Sequence, residues 1–158
     1  VVRAMPNTPA AIGQGITALI GNDRATDKDL AEAQSLMAAV GQTILLHNEG
    51  QLDAVTGVSG SGPAYVFHMI ETLAEAGIKQ GLPAVMAMRL AQATVAGAGA
   101  LAVQSDDSAE QLRINVTSPN GTTQAALEIL MHEKTGLQSL MTRAVKAATK
   151  RSQDLSNG

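Results

Sequence analysis

Hydroxyls and bare backbone amides are concentrated in one stretch, Asn115-Val116-Thr117-Ser118-Pro119-Asn120-Gly121-Thr122-Thr123, directly ahead of an apolar helical repeat. No residue in it carries a charge. A helix start presents several N–H groups without intrahelical partners and the positive end of the macrodipole, so this composition suits a carboxylate or a phosphate. Ser, Thr and Asn are also preferred helix caps, and for this loop taken alone plain capping is the leading reading. Two further loops share its character: Met5-Pro6-Asn7-Thr8-Pro9 and Ser59-Gly60-Ser61-Gly62-Pro63. All three lack Asp, Glu, His, Lys, Arg and Cys. They therefore lack the base or nucleophile that a hydrolytic triad, a carboxylate pair or a Schiff-base lysine requires. Ser59 is not a nucleophile elbow, because Ser61 stands where that motif needs glycine. What remains is a set of neutral donors able to hold an anion and a neutral ring. Chemistry on such a ligand has to come from a reactive cofactor.

The elements that position these loops can be read in chain order. Val1 to Ala4 reads as the tail of a buried strand, and the two prolines of Met5–Pro9 make a rigid turn. Gly13-Gln14-Gly15-Ile16-Thr17-Ala18 formally fits G-x-G-x-x-G/A, but β-branched Ile16 and Thr17 lead into Leu19-Ile20, a strand where the dinucleotide fingerprint needs a helix. Thr26 and Asp29 have the spacing of a capping box. After them Leu30, Ala33, Leu36, Met37 and Val40 form an apolar face closed by Gly41, and a short strand follows over residues 43–46. Strand, strand, helix and strand within the first 48 residues predict the edge of an α/β sheet.

Beyond Asn48 the pattern is helical. A short helix over residues 49–56 leads to a glycine-rich turn, Gly57 to Gly62, with Pro63 at the first position of the next helix. From Pro63 to Gln80 the polar residues make one narrow stripe, which predicts a helix buried on most of its circumference. Gly81-Leu82-Pro83 breaks the chain before a second apolar helix, Ala84 to about Gln104. That stretch has the length of a membrane span, but it is built of Ala and Gly and contains Arg89, so no membrane segment is assigned. Small residues at four-residue spacing predict close helix approach, and two helices this apolar predict an interface between subunits. Ser108 with Gln111 caps a short helix to about Val116. A helix ending at Gly136 carries Ala126, Leu127, Leu130 and Met131, and a last helix places Leu137, Leu140, Met141, Ala144, Ala148 and Leu155 on one face.

Composition bounds the alternatives. With one Phe, one Tyr, no Trp and 27 alanines, a core in 158 residues has to come from helices in close contact. No cysteine means no disulfide framework or thiolate metal site, which suits the cytosol. His47, His68 and His132 fall in separate segments, so no metal site is expected. A net charge of −3 with scattered basic residues argues against nucleic-acid binding. The start at Val1, with neither an initiating Met nor a signal-peptide pattern, suggests a chain cut from a longer one.

Three motifs in this order and spacing resemble pyrroline-5-carboxylate reductase: Met5-Pro6-Asn7-Thr8-Pro9, Val58 to Phe67, and Val116 to Thr123. Ala76-Gly77, Gly81-Leu82-Pro83 and Arg151-Ser152 match as well, so the resemblance covers essentially the whole chain. It implies a mostly α fold: an α/β remnant of a Rossmann-like dinucleotide-binding domain over residues 1–48, then an all-helical substrate-binding and dimerisation domain over residues 49–158. It further implies NADPH or NADH as cofactor, 1-pyrroline-5-carboxylate as substrate, L-proline as product, and an intertwined homodimer that in the family is often gathered into decamers. By resemblance, Met5, Pro6, Asn7 and Thr8 lie at the nicotinamide end of the cofactor. Ser118 holds the substrate carboxylate with the amides around Gly121, Thr122 and Thr123, and Thr123 is the catalytic hydroxyl facing the ring nitrogen. Asn115 and the segment Ser59, Gly60, Ser61 and Gly62 flank that pocket. Hydride donor and acceptor would then be held roughly 3 to 3.5 Å apart. The family usually has glycine where this chain has Asn120, and asparagine tolerates the left-handed backbone that such a position calls for. The family's strand–glycine loop–helix that binds the pyrophosphate has no counterpart, so this polypeptide alone is expected to be inactive and to bind NADPH without saturation. The contrasting reading is a non-catalytic helical dimerisation module, or the reductase of a related cyclic imino acid.

Overall fold

The computed structural model describes residues 1–156. As expected it is mostly α, with one three-stranded sheet near the N-terminus. The residues form two compact units, one of Val1–Tyr65 together with the chain from Thr142 onward, the other of Val66–Met141.

In the first unit β1 (Val2–Met5), β2 (Gly15–Gly21) and β3 (Gly41–Leu45) lie in the order β1-β2-β3. Strand β2 runs antiparallel to β1, with Met5 opposite Ala18, and parallel to β3, with Gly15 opposite Gly41. Paired on both sides, β2 supplies the buried Thr17, Ala18 and Leu19. Strand β1 is less buried than its sequence suggests: Arg3 and Ala4 are exposed, because within this sheet it pairs along one edge. Gly13, at φ 71°, closes a 3-10 turn over Thr8–Ile12, and Gly15 then enters β2, so the glycine pair precedes a strand and not a helix.

Helix α1 (Asp27–Met37) makes the crossover from β2 to β3, as a parallel pair requires. Its capping box forms as the spacing predicts. Thr26 Oγ1 accepts the Asp29 N–H at 3.2 Å, while Asp29 Oδ2 accepts the Thr26 N–H and the Thr26 hydroxyl, each at 2.8 Å. These bonds, the backbone one foremost, favour the ionised carboxyl and hold Asp29 below its ordinary pKa. Leu30, Ala33, Met37 and Val40 are half-buried, but Leu36 is 65% exposed. Six residues beyond Leu30, it lies off the i, i+3, i+7 stripe. The helix ends at Met37, and Ala38–Val40 tighten into a 3-10 turn before Gly41.

After α2 (Gln51–Val55), residues Thr56–Gly60 form a π turn that runs on toward α3 (Gly62–Lys79). The expected glycine-rich turn is thus helical, and Pro63 is the second residue of α3. None of Gly57, Gly60 and Gly62 has positive φ. Gly57 and Gly60 serve close approach, not chain reversal, whereas a Cβ at Gly62 would meet nothing within 4 Å.

In the second unit α3 is followed by α4 (Ala84–Gln104), α5 (Ala109–Asn115) and α6 (Thr122–Leu130). Gly81, at φ 95°, makes the predicted break between α3 and α4. Ala74, Ala87 and Ala91 form a small core with Ile70 against it, and a Cβ added at Gly77 would lie 3.3 Å from Leu82 Cδ1. Small residues thus bring α3 and α4 together as expected, but only on one narrow face. Val66, Phe67 and Leu73 on α3, and Val85, Met86, Leu90, Leu101 and Val103 on α4, are exposed on the single chain. The expectation that α3 is mostly buried does not hold within one chain, which has too few large side chains to cover it. By length and composition alone α4 could cross a membrane.

Helix α6 stops at Leu130, not at Gly136. Thr135 donates its N–H to His132 Nδ1 at 3.3 Å, and Gly136 donates to the His132 carbonyl at 2.8 Å, forming a turn ahead of α7 (Leu137–Ser156). Leu140 and Leu155 on α7 are exposed.

Candidate functional site

The start of α6 is built around a turn at Ser118-Pro119-Asn120-Gly121. The Gly121 N–H donates to the Ser118 carbonyl at 3.0 Å, Pro119 takes the second position, and Asn120 takes the third at φ 59°. A proline followed by a left-handed residue is the type II pattern. Asn120 is the only non-glycine at positive φ among the described residues, so asparagine meets the demand expected at this position. Its N–H donates to Gln124 Oε1 at 2.8 Å, which ties the turn to the first turn of α6.

Gly121 is the N-cap of α6, extended at φ −84° and ψ 172°, and no side chain caps the helix. The capping that a loop of Ser, Thr and Asn suggests is therefore not what these residues do here. A Cβ at Gly121 would collide with Ser118 Oγ, so the serine hydroxyl lies over the Gly121 backbone. Gly121 and Thr123 are half-buried, while Ser118 and Thr122 are exposed. The arrangement gathers first-turn amides and hydroxyls at one helix end, a neutral cradle for an anion. Arg113, the nearest cation in sequence, is committed elsewhere, 3.5 Å from Glu110 and 3.3 Å from Met131 Sδ.

The approach to this turn is also pinned. Thr117 Oγ1 donates to the Arg113 carbonyl at 2.6 Å. Asn115 Nδ2 donates to Asp107 Oδ2 at 3.1 Å, and its Oδ1 accepts Gln111 Nε2 at 2.7 Å. The Asn115 side chain thus secures the loop from behind. Asp107 and Gln124 were not singled out in the sequence, and Gln111 was read only as the capping partner of Ser108. The four-residue spacings Gln111–Asn115 and Asn120–Gln124, which put side chains on one face, were the available signal.

In the first unit Met5 ends β1, half-buried, and Asn7 Oδ1 accepts the Ile16 N–H at 2.9 Å, fixing the proline turn against the start of β2. Pro6 and Thr8 are exposed. In the π turn Ser61 N–H donates to the Thr56 carbonyl at 2.8 Å, Ser59 Oγ donates to Val55 at 3.1 Å, and the Tyr65 hydroxyl donates to Gly57 at 3.0 Å. Helix α7 backs this turn. A Cβ at Gly57 would lie 2.5 Å from Thr149 Oγ1 and 3.1 Å from the Val145 carbonyl oxygen, and Ser152 Oγ donates to Asp53 Oδ1 at 2.6 Å. A Cβ at Gly60 would lie 2.7 Å from Met5 Cε. The structure therefore brings Met5 and the Ser59–Gly62 segment, two of the three loops, into contact.

Residues 49–155 match the pyrroline-5-carboxylate reductase dimerisation family. The pyrroline-5-carboxylate reductase of Synechocystis sp. is 46% identical over 155 residues, covering 98% of this chain and 57% of that protein. The solved structure of a pyrroline-5-carboxylate reductase from Coxiella burnetii superposes with a TM-score of 0.92 at 40% identity, covering 98% of this chain and 56% of that one. A Plasmodium falciparum pyrroline carboxylate reductase solved with NADP bound superposes at 0.85 with 33% identity, covering 97% and 62%. The chain thus spans little more than half the length of these relatives. With the family match over residues 49–155 and a relative 46% identical along nearly the whole of this chain, the chain belongs to the pyrroline-5-carboxylate reductase family.

Proposed function

We propose that this chain is the substrate-binding and dimerisation part of a reductase that converts 1-pyrroline-5-carboxylate to L-proline with NADPH or NADH. The observation that carries this reading is the uncapped, charge-free start of α6 beneath the Ser118 hydroxyl. Ser118 and the amides of Gly121, Thr122 and Thr123 hold the substrate carboxylate, and Thr123 Oγ1 faces the ring nitrogen. Asn115 keeps the loop in place, and Ser59 to Gly62 are assigned to substrate binding by resemblance alone. With no charged acid in these loops, the imine enters protonated. Hydride addition at the C=N carbon then gives the secondary amine directly, and Thr123 accepts a hydrogen bond from the nitrogen throughout.

The Met5–Thr8 turn fits the nicotinamide end of a cofactor. Met5 and Pro6 offer apolar surface, and Asn7, its oxygen occupied by Ile16, keeps its NH2 as a donor for a carboxamide. The reduced nicotinamide supplies the hydride. A relative solved with NADP bound supports this cofactor class. Residues 1–48 are read as the end of the dinucleotide-binding domain and residues 49–158 as the helical domain, in line with a family match that begins at residue 49. The exposed apolar faces of α3 and α4 are read as the surface that a second copy covers, giving a homodimer and, by resemblance, decamers.

Ser118→Ala in the complete enzyme carrying this sequence tests the carboxylate assignment. Loss of one hydrogen bond to a charged group, worth about 1.5–3 kcal/mol, raises KM for the imine about 10- to 100-fold with kcat little changed. An unchanged KM would overturn the assignment.

A further inference from the structure

The π turn at Thr56–Gly60 is packed against backbone at Gly57 and only against side-chain ends at Gly60. On the α7 side Gly57 faces the Val145 carbonyl and Thr149, backbone as well as side chain, and Asp53 is bonded to Ser152. Its own bonds, Thr56 Oγ1 to the Leu52 carbonyl at 2.8 Å and Ser61 N–H to Thr56 at 2.8 Å, fix the chain direction. A turn so held cannot retreat toward α7. Gly60, three residues on, meets the far end of one flexible side chain: a Cβ there would lie 2.7 Å from Met5 Cε, with the Thr56 methyl further off at 3.6 Å. The Met5 backbone is fixed by pairing with Ala18 in the sheet, so the thioether end is the part free to yield. A π turn interrupting a helix is a rare device that is often found at functional sites, and this one sets a bare glycine against a methionine.

From this contact we infer that Gly60 is a positioning residue for the cofactor: lacking a side chain, it lets the Met5 thioether lie where it meets the nicotinamide. The inference rests on the assignment of the Met5–Thr8 turn to the cofactor. A methyl group at Gly60 displaces the tip of a flexible side chain and no backbone, so Gly60→Ala is expected to fold, and the part of its effect that vanishes when Met5 is removed reports on this contact.

The test is a double-mutant cycle in the complete enzyme: Gly60→Ala, Met5→Ala and both together, measuring KM for the nicotinamide cofactor, KM for the imine and the thermal midpoint. Gly60→Ala is expected to raise the cofactor KM about three- to tenfold, in the range known for coupled neighbours, with the midpoint nearly unchanged. In the Met5→Ala background, where the space is already free, the same substitution adds nothing. An equal rise in both backgrounds, no rise at all, or a loss of thermal stability that accounts for the change would overturn the positioning role. A Met5→Ala variant with an unchanged cofactor KM would instead overturn the assignment of that turn to the cofactor, and the inference with it.

Discussion

Thr123→Ala in the complete enzyme is expected to lower kcat/KM for the imine about 100-fold, the scale of a positioned hydroxyl or donor acting on the reacting group. Thr123 is the second residue of α6, half-buried beside the uncapped first turn, and its loops offer no ionisable residue to take over its role. On the proposed function its oxygen faces the nitrogen whose bonding changes as hydride arrives, so the loss is expected to fall mainly on kcat, unlike the loss at Ser118. Thr123→Ser, which keeps the hydroxyl, should recover most of the rate. Steady-state kinetics of the two variants check this, and equal activity of wild type and Thr123→Ala would remove the residue from the chemistry.

The largest effect on folding is expected at Gly41. Its φ of 145° is a conformation that side chains rarely adopt, and an added Cβ would meet the Gly15 carbonyl oxygen and lie 2.5 Å from Gly15 N. Those are backbone atoms of the paired strand β2, so relief requires β2 and β3 to separate. Gly41→Ala should cost about 3 kcal/mol or more, from backbone strain and lost strand pairing together. Gly13 supplies the control: it is also at positive φ, 71°, but nothing lies within 4 Å of its Cβ position. Gly13→Ala should cost about 1 kcal/mol from the conformation alone. Denaturant unfolding of both variants measures the difference, and equal costs would show that the close approach of the two strands contributes nothing.

Much of this arrangement is legible in the residues themselves, wherever local chemistry decides the outcome. The Thr26–Asp29 box and the Ser108 cap follow from side chains bonding backbone within three residues, and the Gly81 break and the left-handed Asn120 from the backbone freedom of those residues. The misreadings lie where distant contacts decide. Gly57 to Gly62 has a turn's composition, yet Gly57 and Gly60 are spent on approach to α7 and Met5, partners far away in sequence. Leu36 and α3 looked buried because apolar character shows only that a residue can be covered, not that the same chain covers it. At the candidate site the neutral hydroxyls were visible, but not that Gly121 would leave α6 uncapped or that Asn115 would be held by Asp107 and Gln111. Those outcomes depend on where one helix stops and the next begins, which is where periodicity is least informative.

The central claim, a carboxylate cradle at the start of α6, is tested most directly by following the backbone amide resonances of Gly121, Thr122 and Thr123 while L-proline is added, with pyrrolidine as the ring that lacks a carboxylate. The account predicts saturable shifts centred on those three amides with proline and none with pyrrolidine, abolished or weakened by Ser118→Ala. Shifts that are absent there, or equal for the two compounds, would contradict it.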